Sequence, residues 1–95
     1  MDLSSRVVAS PEHLSARLGP ESVVLGVTKG VYYGLDEVGA HVWDLIQTPA
    51  VVADVRDAIV SDFDVDAGTC ERDLVAFLLE LDSNGMIDVV DERQA

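Results

Sequence analysis

Two hydrophobic periods follow each other in the middle of the chain, and they predict a strand that leads directly into a helix. Within Val31–Leu35 the odd-numbered side chains share one face and the even-numbered ones the other, which is the two-residue period of a strand. After Leu35 the apolar residues recur at the three- and four-residue spacing of a helix. Asp36 stands at the N-cap position, so we expect the helix to run from about Asp36 to Gln47.

The first third of the chain is rich in β-branched residues and predicts further strands. Arg6–Ala9 forms a short strand and residues 22–27 form a longer one. Residues 28–30 include a glycine that permits a positive φ, so they turn the chain into an antiparallel hairpin with the strand that follows. His13–Leu18 alternates only weakly, and both a strand and a single helical turn stay open for it.

The residues after the first helix predict a second amphipathic helix that ends in an acidic loop. Thr48 can cap this helix, and Pro49 is tolerated in its first turn. Its apolar positions recur at helical spacing as far as Phe63. Residues 62–68 carry three aspartates, whose charge favours the N-terminus of a following helix.

The third predicted helix is the longest and carries more apolar residues than one face needs. It begins near Thr69 and stops at residues 84–85, where a glycine can take a positive φ. Val75 and Leu79 lie about 100° round the helix from its core-facing residues. They either pack against a second neighbour or line a groove left open for a ligand. The core-facing stripe consists of Leu74, Phe77, Leu78 and Leu81.

Composition predicts one globular domain that spans residues 1–95. The chain has 95 residues, of which 48% are apolar, and this is enough to form a core. Residues 86–90 permit a closing strand, and residues 91–95 are expected to be a frayed tail. The chain shows neither the apolar run of a signal peptide nor the roughly 20 apolar residues of a membrane span. We therefore expect a cytoplasmic protein without a membrane partner.

The charge of the chain limits its partners. Six basic residues face eighteen acidic ones, which gives a formal net charge of −12. This field repels phosphate and attracts a basic protein or peptide. A hairpin beside three helices permits a winged helix-turn-helix, but Arg56 and Arg72 are flanked by acidic residues and offer too few cations for DNA. Nucleic acid is therefore excluded as a partner.

The metal-binding and catalytic patterns in the chain are incomplete. Three aspartates at alternating positions from Asp62 are similar to the start of a calcium loop. Ala67 and Asp73 occupy the sixth and twelfth positions, where an EF-hand needs Gly and Glu. No zinc spacing joins the remaining candidate ligands, His13, His41 and Cys70. We expect neither a metal ion nor a cofactor.

The sequence also disfavours an enzyme and a carrier protein that bears a covalent pantetheine arm. Cys70 is the only cysteine and falls four residues before Leu74, so it is expected to be a small buried residue of the core. Ser61 and Ser83 lie at helix ends, whereas a pantetheine carrier needs a serine that opens a helix. These residues predict a protein that binds its partner and is not an enzyme.

Residues 33–45 resemble the PqqD-like family, also called recognition elements of ribosomally made, modified peptides. The family pattern is a strand that ends in Leu-Asn, a helix turn of small residues, a Trp and a Leu; here Asp36 replaces the Asn. Residues 63–66 resemble the family's loop before its last helix, and residues 78–87 resemble its leucine-rich helix, glycine and Leu-Ile end. The resemblance spans about residues 20 to 90.

The double tyrosine after residues 29–30 is most similar to the lasso-peptide branch of this family. The resemblance implies an α+β, winged-helix-like fold with a three-stranded antiparallel sheet followed by three helices. It also implies a non-catalytic adaptor that binds the leader segment of a precursor peptide and presents it to a leader peptidase and a cyclase. The alternatives are the peptide chaperone of pyrroloquinoline quinone synthesis and an acidic winged-helix regulator that binds a protein.

The resemblance also implies where the leader binds. The leader would add as a further strand beside Val31–Leu35, with its side chains in a groove between that strand and the last helix. The same unpaired edge permits a homodimer. Asp82 would pair with a leader cation, and the sequence leaves open which of Tyr32 and Tyr33 faces the groove. The predicted peptide-binding residues are Val31, Tyr32, Tyr33, Leu35, Leu74, Val75, Leu78, Leu79 and Asp82.

Overall fold

The computed structural model describes residues 1–27 and 29–90 and shows an α+β fold, which confirms the predicted class. Thr28 of the predicted turn and the predicted frayed tail, residues 91–95, lie outside the described residues. None of the helices in the described ranges is both long and apolar enough to cross a membrane. The elements in chain order are β1 (Arg6–Ala9), β2 (His13–Leu18), β3 (Glu21–Gly26), β4 (Val31–Leu35), α1 (Glu37–Leu45), β5 (Ala50–Val51), α2 (Val52–Asp62), α3 (Ala67–Ser83) and β6 (Ile87–Val90).

The predicted three-stranded antiparallel sheet consists of β2, β3 and β4 in that order, with β4 at one edge. All six residues of β2 pair with β3, so the segment that the sequence left open is a strand. The predicted hairpin of β3 and β4 is confirmed, and Gly30 supplies its positive φ of 67°. The fold therefore presents the edge of β4 next to the helices that follow it.

A second antiparallel sheet, in the order β5-β1-β6, joins the two ends of the chain. The predicted first and closing strands are its members β1 and β6. The prediction that Thr48 caps α2 is wrong, because β5 pairs with β1 and the helix begins only at Val52. The N–H groups of Val52 and Ala53 donate to the carbonyls of Ser5 (2.9 Å) and Leu3 (3.0 Å), which replace a side-chain cap.

Two aspartates cap the other helices. Asp36 precedes α1, and its carboxylate accepts a hydrogen bond from the N–H of Gly39 at 2.8 Å. Asp66 caps α3 in the same way, through the N–H of Thr69 at 3.0 Å. The acidic loop therefore caps α3 as predicted, although the helix begins at Ala67 and so two residues earlier than expected. These caps fix where the two helices that flank β4 begin.

One cluster of buried apolar side chains joins both sheets to the three helices. Val7 of β1, Val24 of β3 and Leu78 of α3 are all within it. Cys70 also belongs to this cluster and is 8% exposed, which confirms the prediction of a small buried residue. Burial of this apolar surface fixes α3 relative to the sheet that ends in β4, and a cleft lies between the two.

Candidate functional site

A cleft of about 640 Å³ opens between the edge strand β4, the beginning of α1 and one flank of α3. Val38 and Val42 of α1 contribute apolar surface to it. The size and the mainly apolar lining suit a few side chains of a bound molecule. Its walls include Tyr33, Gly34 and Leu35 on β4, and Asp73, Leu74, Phe77 and Glu80 on α3.

The two neighbouring tyrosines of β4 face opposite sides of the sheet. Tyr33 is half-buried and lines the cleft, whereas Tyr32 is 70% exposed. Val24 of β3 stands opposite Tyr33 and is 1% exposed, because the helices cover this face of the sheet. The alternation of strand side chains therefore directs Tyr33 into the cleft and Tyr32 to the outer face.

The hydroxyl of Tyr33 connects β4 to the end of α3. It accepts a hydrogen bond from Asn84 Nδ2 at 2.6 Å and donates more weakly to the carbonyl oxygen of Glu80 at 3.5 Å. Burial raises the pKa of Tyr33, the charge of Glu80 raises it further, and the bond from Asn84 partly opposes both. The neutral phenol is therefore favoured, and it joins β4 to the C-terminal end of α3.

The hairpin of β2 and β3 determines how the main chain of β3 is paired. A two-residue loop joins these strands, with Leu18 opposite Glu21 and a φ of 65° at Gly19. The closing pair of such a hairpin exchanges both of its hydrogen bonds. The odd-numbered residues of β3 therefore bond to β2, and its even-numbered residues direct their N–H and C=O groups to β4.

The same alternation determines which groups of β4 are unpaired. The even-numbered residues of β3 stand opposite Val31, Tyr33 and Leu35, which therefore use their main-chain groups within the sheet. Tyr32 and Gly34 consequently direct their N–H and C=O groups to the free edge. An unpaired edge of this kind accepts another extended chain.

The charged residues at the cleft all have the same sign. Asp36, Asp73 and Glu80 line it, and among the described residues no Lys or Arg does. Asp36 is engaged as the cap of α1. Asp73 and Glu80 are exposed and form no ion pair within residues 1–27 and 29–90. The mouth of the cleft is therefore negative.

Cys70 lies at the cleft but has the properties of a packing residue. Burial raises the pKa of its thiol, the charge of Arg56 lowers it, and the charge of Asp73 raises it. The thiol therefore stays neutral at ordinary pH, whereas a catalytic cysteine needs the thiolate.

The structure brings together some of the predicted site residues on β4. Tyr33 and Leu35 line the cleft, although Leu35 is buried and belongs to the core. Val31 lies on the edge strand but outside the lining, and Tyr32 contributes its main chain to the free edge and its ring to the outer face.

The predicted residues of α3 are separated by the structure. Leu74 lines the cleft, and Leu78 is 0% exposed and has no surface for a ligand. The other three predicted residues, Val75, Leu79 and Asp82, lie outside the lining of the cleft. The helical period places them on the opposite flank of α3 from Phe77. Their contact with a peptide stays a prediction.

The residues that sequence reasoning missed are Asp73 and Glu80, and Phe77 was assigned to the core alone. Phe77 follows Asp73 by four residues and precedes Glu80 by three, so all three lie on one stripe of the helix. The sequence could not indicate that this stripe, rather than the stripe of Val75 and Leu79, faces β4.

Comparisons with known proteins find one family and two solved structures of complexes with a leader peptide. The family model described as "Coenzyme PQQ synthesis protein D (PqqD)" matches residues 21–87. The solved structure "TbiB1 in Complex with the TbiA(beta) Leader Peptide" is 33% identical, with a TM-score of 0.79 over 90% of this chain and 99% of that chain. "Lasso peptide synthetase B1 complexed with the leader peptide" is 27% identical, with a TM-score of 0.73 over 86% of this chain and 96% of that chain. No curated protein matches the chain.

Proposed function

The chain belongs to the PqqD family, and we propose that it is a non-catalytic adaptor that binds the leader segment of a ribosomally made precursor peptide. The observation that carries this function is the free edge of β4 directly beside an apolar cleft. The two similar structures are both complexes with a leader peptide, which supports the same class of ligand here. The name of the second structure supports a lasso peptide as the product.

Strand addition to β4 explains how one site can bind an extended peptide. Tyr32 and Gly34 offer two N–H and two C=O groups at the free edge. A Cβ atom placed on Gly34 would meet no atom within 4 Å, so the outer face of the strand is uncovered at this residue. Every second side chain of the added strand then points into the cleft, where apolar contacts with Leu74 and Phe77 supply selectivity.

The adaptor acts by presenting the bound leader to other proteins. Among the described residues, the cleft offers carboxylates at its mouth and the neutral thiol of Cys70, and no base stands beside that thiol. We propose that a separate leader peptidase and a cyclase process the precursor. The proposed place of action is the cytoplasm, where the precursor is made.

The edge of β4 also permits a homodimer, which we propose only for the peptide-free protein. Two copies would compete with the leader for the same main-chain groups of Tyr32 and Gly34. Each copy carries a formal charge of −12, which opposes their association.

The second candidate function is that of the peptide chaperone of pyrroloquinoline quinone synthesis. The description of the matching family favours it. The two functions share a binding mode and differ in the leader that is bound, so competition between the two leaders distinguishes them.

A titration with a synthetic leader tests the proposal. The peptide is the leader segment of the precursor encoded next to this chain, and the control is a scrambled peptide of equal composition and charge. We expect saturable binding, with the largest backbone amide NMR shifts in Val31–Leu35 and in the stretch of α3 from Asp73 to Glu80. If the folded protein does not bind, or binds the scrambled peptide equally well, the proposed function is wrong.

A further inference from the structure

The charges at the cleft bear on which side chains the bound leader carries. This inference rests on the proposed function. We infer that the leader carries a lysine or arginine two residues from the apolar side chain that fills the cleft. Asp73 and Glu80 lie on opposite sides of Phe77, and the one on the same side as the cation binds it. Selectivity then depends on a charged residue as well as on an apolar anchor.

The spacing along α3 fits a strand that carries this pattern. Asp73, Phe77 and Glu80 share one stripe of the helix. Phe77 lies about 6 Å along the helix axis from Asp73 and about 4.5 Å from Glu80, at the 1.5 Å rise of an α-helix. Side chains on one face of a strand repeat about every 6.7 Å. An apolar side chain over Phe77 therefore places its same-face neighbours within reach of the two carboxylates, because lysine and arginine have long flexible stems.

The carboxylates are free to accept such a partner. The basic residues that form ion pairs do so elsewhere: Arg17 with Asp44, His41 with Asp62, and Arg56 with Asp57 and Glu71. Asp73 and Glu80 are exposed and, among the residues described, are unpaired. These carboxylates attract a cation that lies next to them. They repel an acidic residue at the same place, and the net negative charge of the chain adds to this repulsion.

Charge reversal in the cleft provides the first test. Asp73→Lys and Glu80→Lys are compared with Asp88→Lys, which makes the same change in net charge on the exposed face of β6, outside the cleft. We expect the cleft variant on the cation's side of Phe77 to bind the leader roughly tenfold more weakly, the other cleft variant to lose less, and Asp88→Lys to stay within about twofold. The isosteric variants Asp73→Asn and Glu80→Gln should show a smaller loss of the same sign. Thermal unfolding of each variant checks that it is folded.

A compensating change in the leader provides the second test. Replacing the leader's basic residue by Glu should weaken binding to the parent protein and restore binding to Asp73→Lys or Glu80→Lys. The inference is overturned if the cleft variants bind as well as Asp88→Lys, or if the leader has no basic residue two positions from its apolar anchor. Loss of the parent protein's own leader binding would instead overturn the proposed function, and this inference with it.

Discussion

Asn84 donates a hydrogen bond from Nδ2 to the hydroxyl oxygen of Tyr33 across 2.6 Å, and so joins the end of α3 to the edge strand β4. The ring of Tyr33 lines the cleft at the same time. One side chain therefore contributes both to the stability of the fold and to the lining of the cleft.

The Tyr33–Asn84 hydrogen bond should contribute measurably to stability. Tyr33→Phe removes only the hydroxyl, and Asn84 keeps its second bond to the Glu80 carbonyl at 3.0 Å. We expect a loss of about 0.5–1.5 kcal/mol in the free energy of unfolding, measured in urea. Tyr32→Phe is the control, because Tyr32 is exposed and should change stability by less than about 0.5 kcal/mol. Additive effects of Tyr33→Phe and Asn84→Ala in a double-mutant cycle would contradict the coupling.

The phenol of Tyr33 should titrate above the ordinary tyrosine value. Burial and the charge of Glu80 raise its pKa from 10.0. The Tyr32→Phe variant leaves Tyr33 as the only tyrosine, so its phenolate absorbance reports this pKa alone. Because the folded pKa is the higher one, the stabilisation is complete below about pH 10 and is lost as the pH rises through the folded pKa. A midpoint at or below 10.0 would be inconsistent with this environment.

Two glycines of the central hairpin should respond oppositely to alanine. A Cβ atom at Gly26 would overlap with the sulfur of Met86, which is buried in the core. We expect Gly26→Ala to cost about 1–3 kcal/mol of unfolding free energy. Gly34→Ala points into open space and should change it by less than about 0.5 kcal/mol. Equal melting temperatures for the two variants would refute this packing account.

A charge placed in the cleft should weaken leader binding more than one placed on the other flank of α3. Phe77→Glu puts a carboxylate among the apolar lining, and we expect at least a tenfold rise in Kd, measured by fluorescence anisotropy. Val75→Glu is the matched variant on the opposite flank. If Val75→Glu has the larger effect, the leader uses the groove that the sequence predicted with Val75 and Leu79, and the cleft described here is not its site.

Main-chain pairing at the edge of β4 can be tested at a single position. Tyr32→Ala removes the side chain and keeps the outward N–H, whereas Tyr32→Pro also removes that N–H without breaking a bond to β3. Proline is tolerated on an edge strand whose N–H faces solvent. We expect Tyr32→Pro to bind the leader several-fold more weakly than Tyr32→Ala, because one strand hydrogen bond is lost. Identical affinities would exclude pairing through this group.

The sequence by itself determined the elements whose signals are local. The β-branched run before Gly30 specified the hairpin of β3 and β4, because glycine is the residue that takes a positive φ at low cost. Asp36 specified the start of α1, and the acidic loop indicated a cap for α3 but not its exact first residue, because any of its carboxylates can satisfy N–H groups that a helix leaves free. The resemblance of residues 33–45 to the family also predicts that β4 is the binding strand.

Only the tertiary structure decided which face of each element meets which neighbour. The strand period separates Tyr32 from Tyr33, and the helical period separates Val75 from Phe77, but neither period says which side is covered. The start of α2 depended in the same way on β5 pairing with β1, rather than on Thr48. Packing between distant segments settles these choices, because the free energy that decides them comes from surface buried between residues far apart in the chain.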